Sequence, residues 1–374
     1  MSAAHFPGGP SAAPRRIQCT QSVTLEQMFP EDEDSEAARE GTAAHWAAAE
    51  QLSGRLVDIG VIAPNGVVLN DEMVKAADIM FDDVTRTLAP FGLKPTDGCV
   101  ETRVAINRIY PDMFGTPDFY IVIAGKPMRL FLWDFKFGHR IVEVFENPQL
   151  VDYAAGIVGH VPDLDPGVEI VAKIVQPRAY HGEGPVREWR TTLLDLRALI
   201  NISSNSAHEA FGPNPRARTG PECRDCRARH ACPALQKGVY AGLDEARRVT
   251  PMIMPPAALG LERKMIDEAI ALLEARRSGL DAQIEALLKA GKPVPGWRVE
   301  HGYGREAWVK PASEVIAVGA MLGVPLAKKT EAITPRQARE AGLDPAIVAQ
   351  LSTRPRAAAT LVEDDGTKWR RVFA

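Results

Sequence analysis

The stretch GTPDFYIVIAGKPMRLFLWDFKFGHR (Gly115 to Arg140) constrains the fold more than any other part of the chain. It holds two apolar runs of strand length, DFYIVIAG and MRLFLWDFKF, joined by the short turn Gly125-Lys126-Pro127. That pattern predicts an antiparallel hairpin. Each run also delivers an acidic residue where an apolar one is expected. Asp118 lies near the start of the first strand and Asp134 near the end of the second. They are sixteen residues apart with the turn halfway between them, so tight pairing sets them side by side. Strand alternation puts Asp134 and Lys136 on one face and Phe135 on the other. Two carboxylates and one ammonium therefore converge at one end of a sheet. An ion pair of Asp134 with Lys136 is the plain alternative, since such pairs are common on surfaces. A strand as apolar as LFLWDFKF argues against it, because uncompensated burial of charge is costly.

The rest of the chain supplies layers for this hairpin. An acidic stretch leads into GTAAHWAAAEQLSGRL, whose Ala-rich composition predicts a helix over about 35–56, with Gly41 marking close packing or a break. NDEMVKAADIMFDDVTRTLAPFG has helical spacing, capped by Asn70 or Asp71. CVETRVAINRIY alternates like a strand, with Cys99 as a buried small residue at its head. ENPQLVDYAAGIVGH is helical, VEIVAKIVQP and VREWRTTLL are strands, and LLDLRALINISSNSAHEAF is a helix. The sum is an α/β layered core, a mixed central sheet flanked by helices.

Residues 1–16, rich in Pro, Gly and Ala, read as a disordered lead-in without the apolar core of a signal peptide. The core then runs over 17–240. Beyond a boundary near 240–255 lies a mainly helical extension, 255–374. It opens with one long amphipathic helix ending at Gly291, followed by the hairpin-like GWRVEHGYGREAWV and two small helices. No run of 18 apolar residues is present, which predicts no membrane span. A cytoplasmic location is the default. The net charge of −4 means that any polyanion contact must come from a local basic patch.

Two carboxylates and a lysine suit metal-assisted hydrolysis of a phosphodiester. The carboxylates would bind a hard cation such as Mg²⁺ or Mn²⁺ through oxygen. Lys136 would orient the attacking water or stabilise charge on the phosphoryl group.

Pro117-Asp118 followed by Asp134-Phe135-Lys136 resembles the signature of the PD-(D/E)XK nuclease superfamily. Gln149 and Tyr153, four apart on one helical face, resemble the Q-x-x-x-Y element of its RecB-like exonuclease branch. Gly41-Thr42-Ala43-Ala44-His45 is similar to the G-T-x-x-H element of that branch. The resemblance implies His45, Asp118 and Asp134 as metal ligands and Lys136 as the catalytic lysine. It implies Gln149 and Tyr153 as positioning groups for DNA or the active-site loop. Glu101 falls close enough in sequence to join them. The whole chain also resembles a phage- or prophage-encoded RecB-like family through Gly115 to Asp118, Asp134 to Gly138, Asn147 to Tyr153 and Pro295 to Val299.

Cys223, Cys226 and Cys232 form a C-x₂-C-x₅-C tail between Pro and Arg residues. Three thiolates call for a fourth ligand, locally His230 for a Cys₃His zinc site, or Cys19 from the other end of the core. In RecB-like nucleases of the four-cysteine type, one cysteine precedes the core and three follow it. The resemblance thus implies a [4Fe–4S] cluster on Cys19, Cys223, Cys226 and Cys232 that staples the two ends, with Zn²⁺ as the alternative. Arg216, Arg218, Arg224, Arg227 and Arg229 around it form either a phosphate-binding surface or a solvated loop.

The implied activity is a Mg²⁺- or Mn²⁺-dependent DNA exonuclease processing ends in phage-type recombination or replication. The alternatives are a structure-specific or CRISPR-adaptation-like endonuclease and a non-catalytic DNA-binding scaffold. Implied partners are DNA ends, single- or double-stranded, and a phage recombination or single-strand-binding protein. A ring-shaped homo-oligomer would suit processive action.

Overall fold

A computed structural model describes residues 6–30, 36–161, 167–245, 247 and 253–299, with isolated positions at 317, 321 and 346. The chain divides into two compact units, Met1–Trp297 and Arg298–Ala374. The second unit lies almost wholly outside the described residues. So do most of the hairpin-like piece and the two small helices expected there.

In chain order the first unit contains α1 (Ala13–Gln18), α2 (Ser22–Glu26), α3 (Glu36–Leu52), α4 (Asp71–Leu88), β1 (Cys99–Val100), β2 (Val104–Ala105), β3 (Phe114–Gly115), β4 (Phe119–Ile123), β5 (Arg129–Phe135), α5 (Pro148–Gly159), β6 (Glu169–Val175), β7 (Val186–Thr192), α6 (Leu193–Ala210), α7 (Pro233–Glu245) and α8 (Pro256–Lys289). The main sheet has the order β1-β4-β5-β6-β7. Only β5 and β6 run parallel, with α5 as their crossover; the other pairs are antiparallel. The fold is mixed α/β, a five-stranded mixed sheet flanked by helices. No described helix is long and apolar enough to cross a membrane.

β5 is the middle strand and is buried on both sides, which explains its near-continuous apolar run. Leu130 and Leu132 face a core built from α5 and α6. Phe131, Trp133 and Phe135 face a second core built from α3 and α4. On that side Ala43, Ala44, Ala47 and Ala48 of α3 are all buried, and side chains that small let the helix lie close to its neighbours. Asp83 of α4 enters the same layer. It accepts hydrogen bonds from Trp133 Nε1 and Lys173 Nζ, both at 2.9 Å, and so ties α4 to β5 and β6.

Four expectations are corrected. Residues 6–16 are not a disordered lead-in. Pro10–Ala12 form a 3₁₀ turn, and the guanidinium of Arg16, fully buried, pairs with Asp152 of α5 at 2.9 Å and reaches Ser203 and Ser206 of α6. CVETRVAINRIY is not one strand: Glu101 takes a left-handed φ of 43°, which separates β1 from β2. Cys99 is half-exposed rather than buried. The compact unit does not end at 240–255, because α8 packs back on α7 and the cysteine-bearing turns through buried Ala275 and Gly279.

Candidate active site

The hairpin register sets the site. Phe119 pairs with Trp133 and Ile123 with Arg129, so the next step outward places Asp118 opposite Asp134. Asp118 Oδ2 accepts the backbone N–H of Phe135 at 2.6 Å, which fixes its carboxylate against β5. Its Oδ1 meets His45 Nδ1 at 2.9 Å. The imidazole lies edge-on to the Phe135 ring, 5.1 Å between centroids. Gly41, expected to mark close packing or a break, does neither. α3 runs through it, a Cβ there would touch nothing within 4 Å, and the position opens onto the cleft in front of His45.

Asp134 is buried and engages Lys136 Nζ at 2.9 Å. The ammonium also donates to Gln149 Oε1 at 3.0 Å. Gln149 Nε2 donates to Tyr153 OH at 3.4 Å, and that hydroxyl donates to the Thr116 carbonyl at 3.1 Å. A chain of polar contacts therefore runs from Asp134 through α5 and returns to the turn before Asp118. Asn147 starts α5 by accepting from the N–H groups of Gln149 and Leu150, which fixes the phase that turns Gln149 and Tyr153 inward. Gly115 permits this closure: a Cβ there would sit 2.7 Å from both Tyr153 Cε1 and Pro10 Cγ.

All six expected residues (His45, Asp118, Asp134, Lys136, Gln149 and Tyr153) line one open cleft of about 510 Å³, and Glu101 joins them. Among the described residues, His45, Glu101 and Asp118 are the group whose ligand atoms all lie within 4.8 Å of one another. Asp134, expected in the metal set, stands outside that group, and its carboxylate engages Lys136. The left-handed backbone of Glu101 carries it beside Asp118, whose carbonyl accepts the Glu101 N–H at 3.1 Å. No period or spacing in the sequence marks that turn. The far wall of the cleft, Phe6 and Gly9 to Ser11, belongs to the segment read as disordered.

The charges interlock. Burial disfavours the Asp118 carboxylate, but His45 and Lys136 beside it win and hold its pKa below the ordinary value. Asp134 goes the other way, raised by burial and by Asp118 in spite of Lys136. Burial works against the His45 imidazolium, yet Asp118 raises its pKa. Burial likewise opposes the Lys136 ammonium, and Asp134 and Asp118 overcome it. Glu101 is pushed up to about 8 by desolvation and by the Asp118 carboxylate. One imidazole nitrogen among carboxylate oxygens is a donor set suited to Mn²⁺ or Mg²⁺.

Cys19, Cys223, Cys226 and Cys232 line a second cavity together. The Arg218 N–H points at Cys19 Sγ from 3.5 Å and the Gln18 amide at Cys223 Sγ from 3.9 Å. Burial raises the Cys223 and Cys226 thiols, the latter to about 12. Among the described residues no three of these sulfurs lie mutually within 4.8 Å. His230, the local alternative, does not line the cavity; its Nδ1 meets the Arg227 carbonyl at 3.1 Å and its ring packs on Phe29. Of the neighbouring arginines, Arg216 is paired with Glu209, whereas Arg218 and Arg229 line the cavity wall. Arg140, two residues past Gly138, pairs with Asp225 at 2.7 Å and links the loop after β5 to the cysteine turns.

A search of curated proteins finds no match to the chain. A profile of the family described as "Protein of unknown function (DUF2800)" matches residues 5–365, and the chain belongs to that family.

Proposed function

We propose that the chain is a metal-dependent deoxyribonuclease with a PD-(D/E)XK core, acting as an exonuclease on DNA ends. One observation carries the reading: facing positions of a central hairpin hold Asp118 and Asp134, with Lys136, His45 and Glu101 in the same cleft. His45, Glu101 and Asp118 would hold a divalent cation, with Asp134 on its flank. Bound there, Mg²⁺ or Mn²⁺ supplies charge stabilisation to a phosphodiester and acidifies a water. Lys136 stays protonated because Asp134 and Asp118 surround it, so it presents a fixed positive charge to a phosphoryl oxygen. Gln149 keeps that ammonium aimed, and Tyr153 keeps the Thr116 turn closed on the site. Unlike the buried pairs Arg16–Asp152 and Asp83–Lys173, which tie elements together inside the core, this array opens onto a cleft, which favours a catalytic use over a scaffold.

The four cysteines support a [4Fe–4S] cluster as part of the same reading. Four thiolates on one cavity are the ligand count of a four-iron cluster, and of a structural zinc as the alternative. Held by Cys19 at one end of the core and the C-x₂-C-x₅-C turns at the other, the cluster would staple the fold.

The test is cleavage of end-labelled linear DNA, single- and double-stranded, with Mn²⁺ or Mg²⁺, on protein purified without oxygen. Degradation that requires the metal and disappears in Lys136→Ala supports the nuclease. Equal activity in both proteins, or none in either, removes it.

A further inference from the structure

α8 has two working flanks. One docks on its own core: Leu272 and Ala275 join Leu235 and Val239, Gly279 lies against the His230 backbone, and Arg276 bonds the His230 carbonyl. The other flank faces water yet is apolar. Leu259, Ile266, Leu273 and Leu280 recur every seven residues, with Leu287 completing the series; Ile270 and Ile284 alternate with Arg263 and Arg277 between them. The first four leucine and isoleucine positions and Ile270 are 37–53% exposed. A strict seven-residue repeat of this kind is the seam of a left-handed coiled coil, with the leucines at d and the Arg/Ile series at a. A helix that only covers its own core carries one apolar stripe, not two.

We infer that this seam pairs with the α8 of a second copy of the chain, antiparallel, in a symmetric homodimer. The charges choose both partner and direction. A parallel pair would stack Arg263 on Arg263 and Arg277 on Arg277 at two a layers. An antiparallel pair packs each a residue against a d residue of the partner. Centred so that Ile270 meets Leu273, it sets Arg277 against Ile266 and Arg263 against Leu280. The acidic row beside the seam, Asp267, Glu274 and Asp281, then flanks those arginines. Arg263 already pairs with Asp267 of its own helix, so that row is within guanidinium reach. A two-fold contact of this kind is self-complementary and closes at two copies.

Sedimentation velocity on the full-length protein tests this. Wild type should sediment as a dimer at micromolar concentration, and Ile270→Asp with Leu273→Asp should sediment as a monomer with an unchanged far-UV spectrum. Arg277→Glu should weaken the dimer at least tenfold, and Asp267→Arg added to it should restore most of the loss. A wild-type monomer at all concentrations would overturn the proposal. A dimer indifferent to Ile270→Asp with Leu273→Asp would overturn it too. Failure of the charge exchange to restore the dimer would overturn the antiparallel arrangement. None of these outcomes depends on nuclease activity.

Discussion

Asp118 and Phe135 are joined by a 2.6 Å hydrogen bond from the backbone of one strand to the carboxylate of the next. The bond locks the orientation of Asp118 to the strand that carries Asp134 and leads into Lys136. Geometry at the cleft is thus a property of the central hairpin, the best-buried part of the molecule, rather than of a surface loop. Groups so held need little reorganisation when a charged ligand arrives.

On the proposed function, Lys136→Ala and Asp118→Asn should each lower the rate of DNA degradation by about 10²-fold or more, the range for loss of a preorganised charge. Lys136→Ala should leave cation affinity nearly intact, while Asp118→Asn should weaken it. Calorimetric titration with Mn²⁺ separates the two. Similar binding losses in both variants would contradict the division of labour between the ligand group and the Asp134–Lys136 pair.

Glu101 gives a pH dependence with a definite sign. Its pKa near 8 lies above the ordinary 4.5, so the folded, metal-free protein keeps a proton there that the unfolded chain releases. That contribution to stability is lost as pH rises from about 4.5 to 8 and changes no further above it. A bound cation displaces the proton. Mn²⁺ affinity should therefore climb between pH 6 and 8, with proton release visible as buffer-dependent heat, and Glu101→Gln should flatten the slope. The titration belongs to Glu101 and Asp118 jointly, so the apparent midpoint reports the pair.

The hairpin part of this cleft was legible in the sequence because the sixteen-residue spacing of Asp118 and Asp134 fixes a register. Spacing puts Gln149 and Tyr153 only on a common helical face; their place in the cleft, like that of His45, was implied by the resemblance to RecB-like nucleases and not by arithmetic. Sequence order puts Glu101 near the site, but the way it gets there was not legible, because its own left-handed φ of 43° ends strand alternation and nothing local requires it. The N-terminal segment escaped for a different reason. Its Pro and Gly content looks unstructured, while the contact that orders it joins Arg16 to Asp152, 136 positions away. The docking of α8 was hidden likewise, since Gly279 reads as a weak helix former until the His230 backbone is found beside it.

The cysteine cavity predicts a composition. Protein purified without oxygen should carry about four iron atoms per chain if the cluster is of the four-iron type. Cys19→Ser should lose the iron and become more susceptible to proteolysis near both ends of the core, because closure between residue 19 and residues 223–232 is gone. Stoichiometric zinc in a colourless protein would instead assign the cavity to zinc.

Asp83 predicts the acid limb of stability. Burial raises the pKa of its carboxyl, but the hydrogen bond from Trp133 and the Lys173 ammonium outweigh it and set the value below 3.8. A depressed carboxylate contributes stability that is present above the unfolded pKa and lost as pH falls through the folded one. Asp83→Ala should cost about 1–3 kcal/mol near neutral pH, since it leaves the buried Trp133 N–H without its acceptor and Lys173 with Glu188 at 3.4 Å and Thr87 at 2.8 Å. Urea unfolding from pH 7 to pH 3 should show the wild type and the variant converging as acid is added. A constant gap across that range would mean that Asp83 acts through packing alone.

Gly279 reverses a familiar rule. Replacing glycine by alanine inside an exposed helix gains about 1 kcal/mol. At position 279 the new Cβ would lie 2.7 Å from the His230 nitrogen and 2.9 Å from its Cα, and backbone atoms do not step aside as a flexible side chain does. Gly279→Ala should therefore lower stability, by about 1–3 kcal/mol as for overpacking elsewhere, and Gly279→Val should release α8 from the cysteine-bearing turns. Hydrogen exchange would show this as faster exchange over 221–245 and 268–282, with β4 to β6 unaffected. Protection unchanged in Gly279→Val would mean that α8 is not held against His230 in solution.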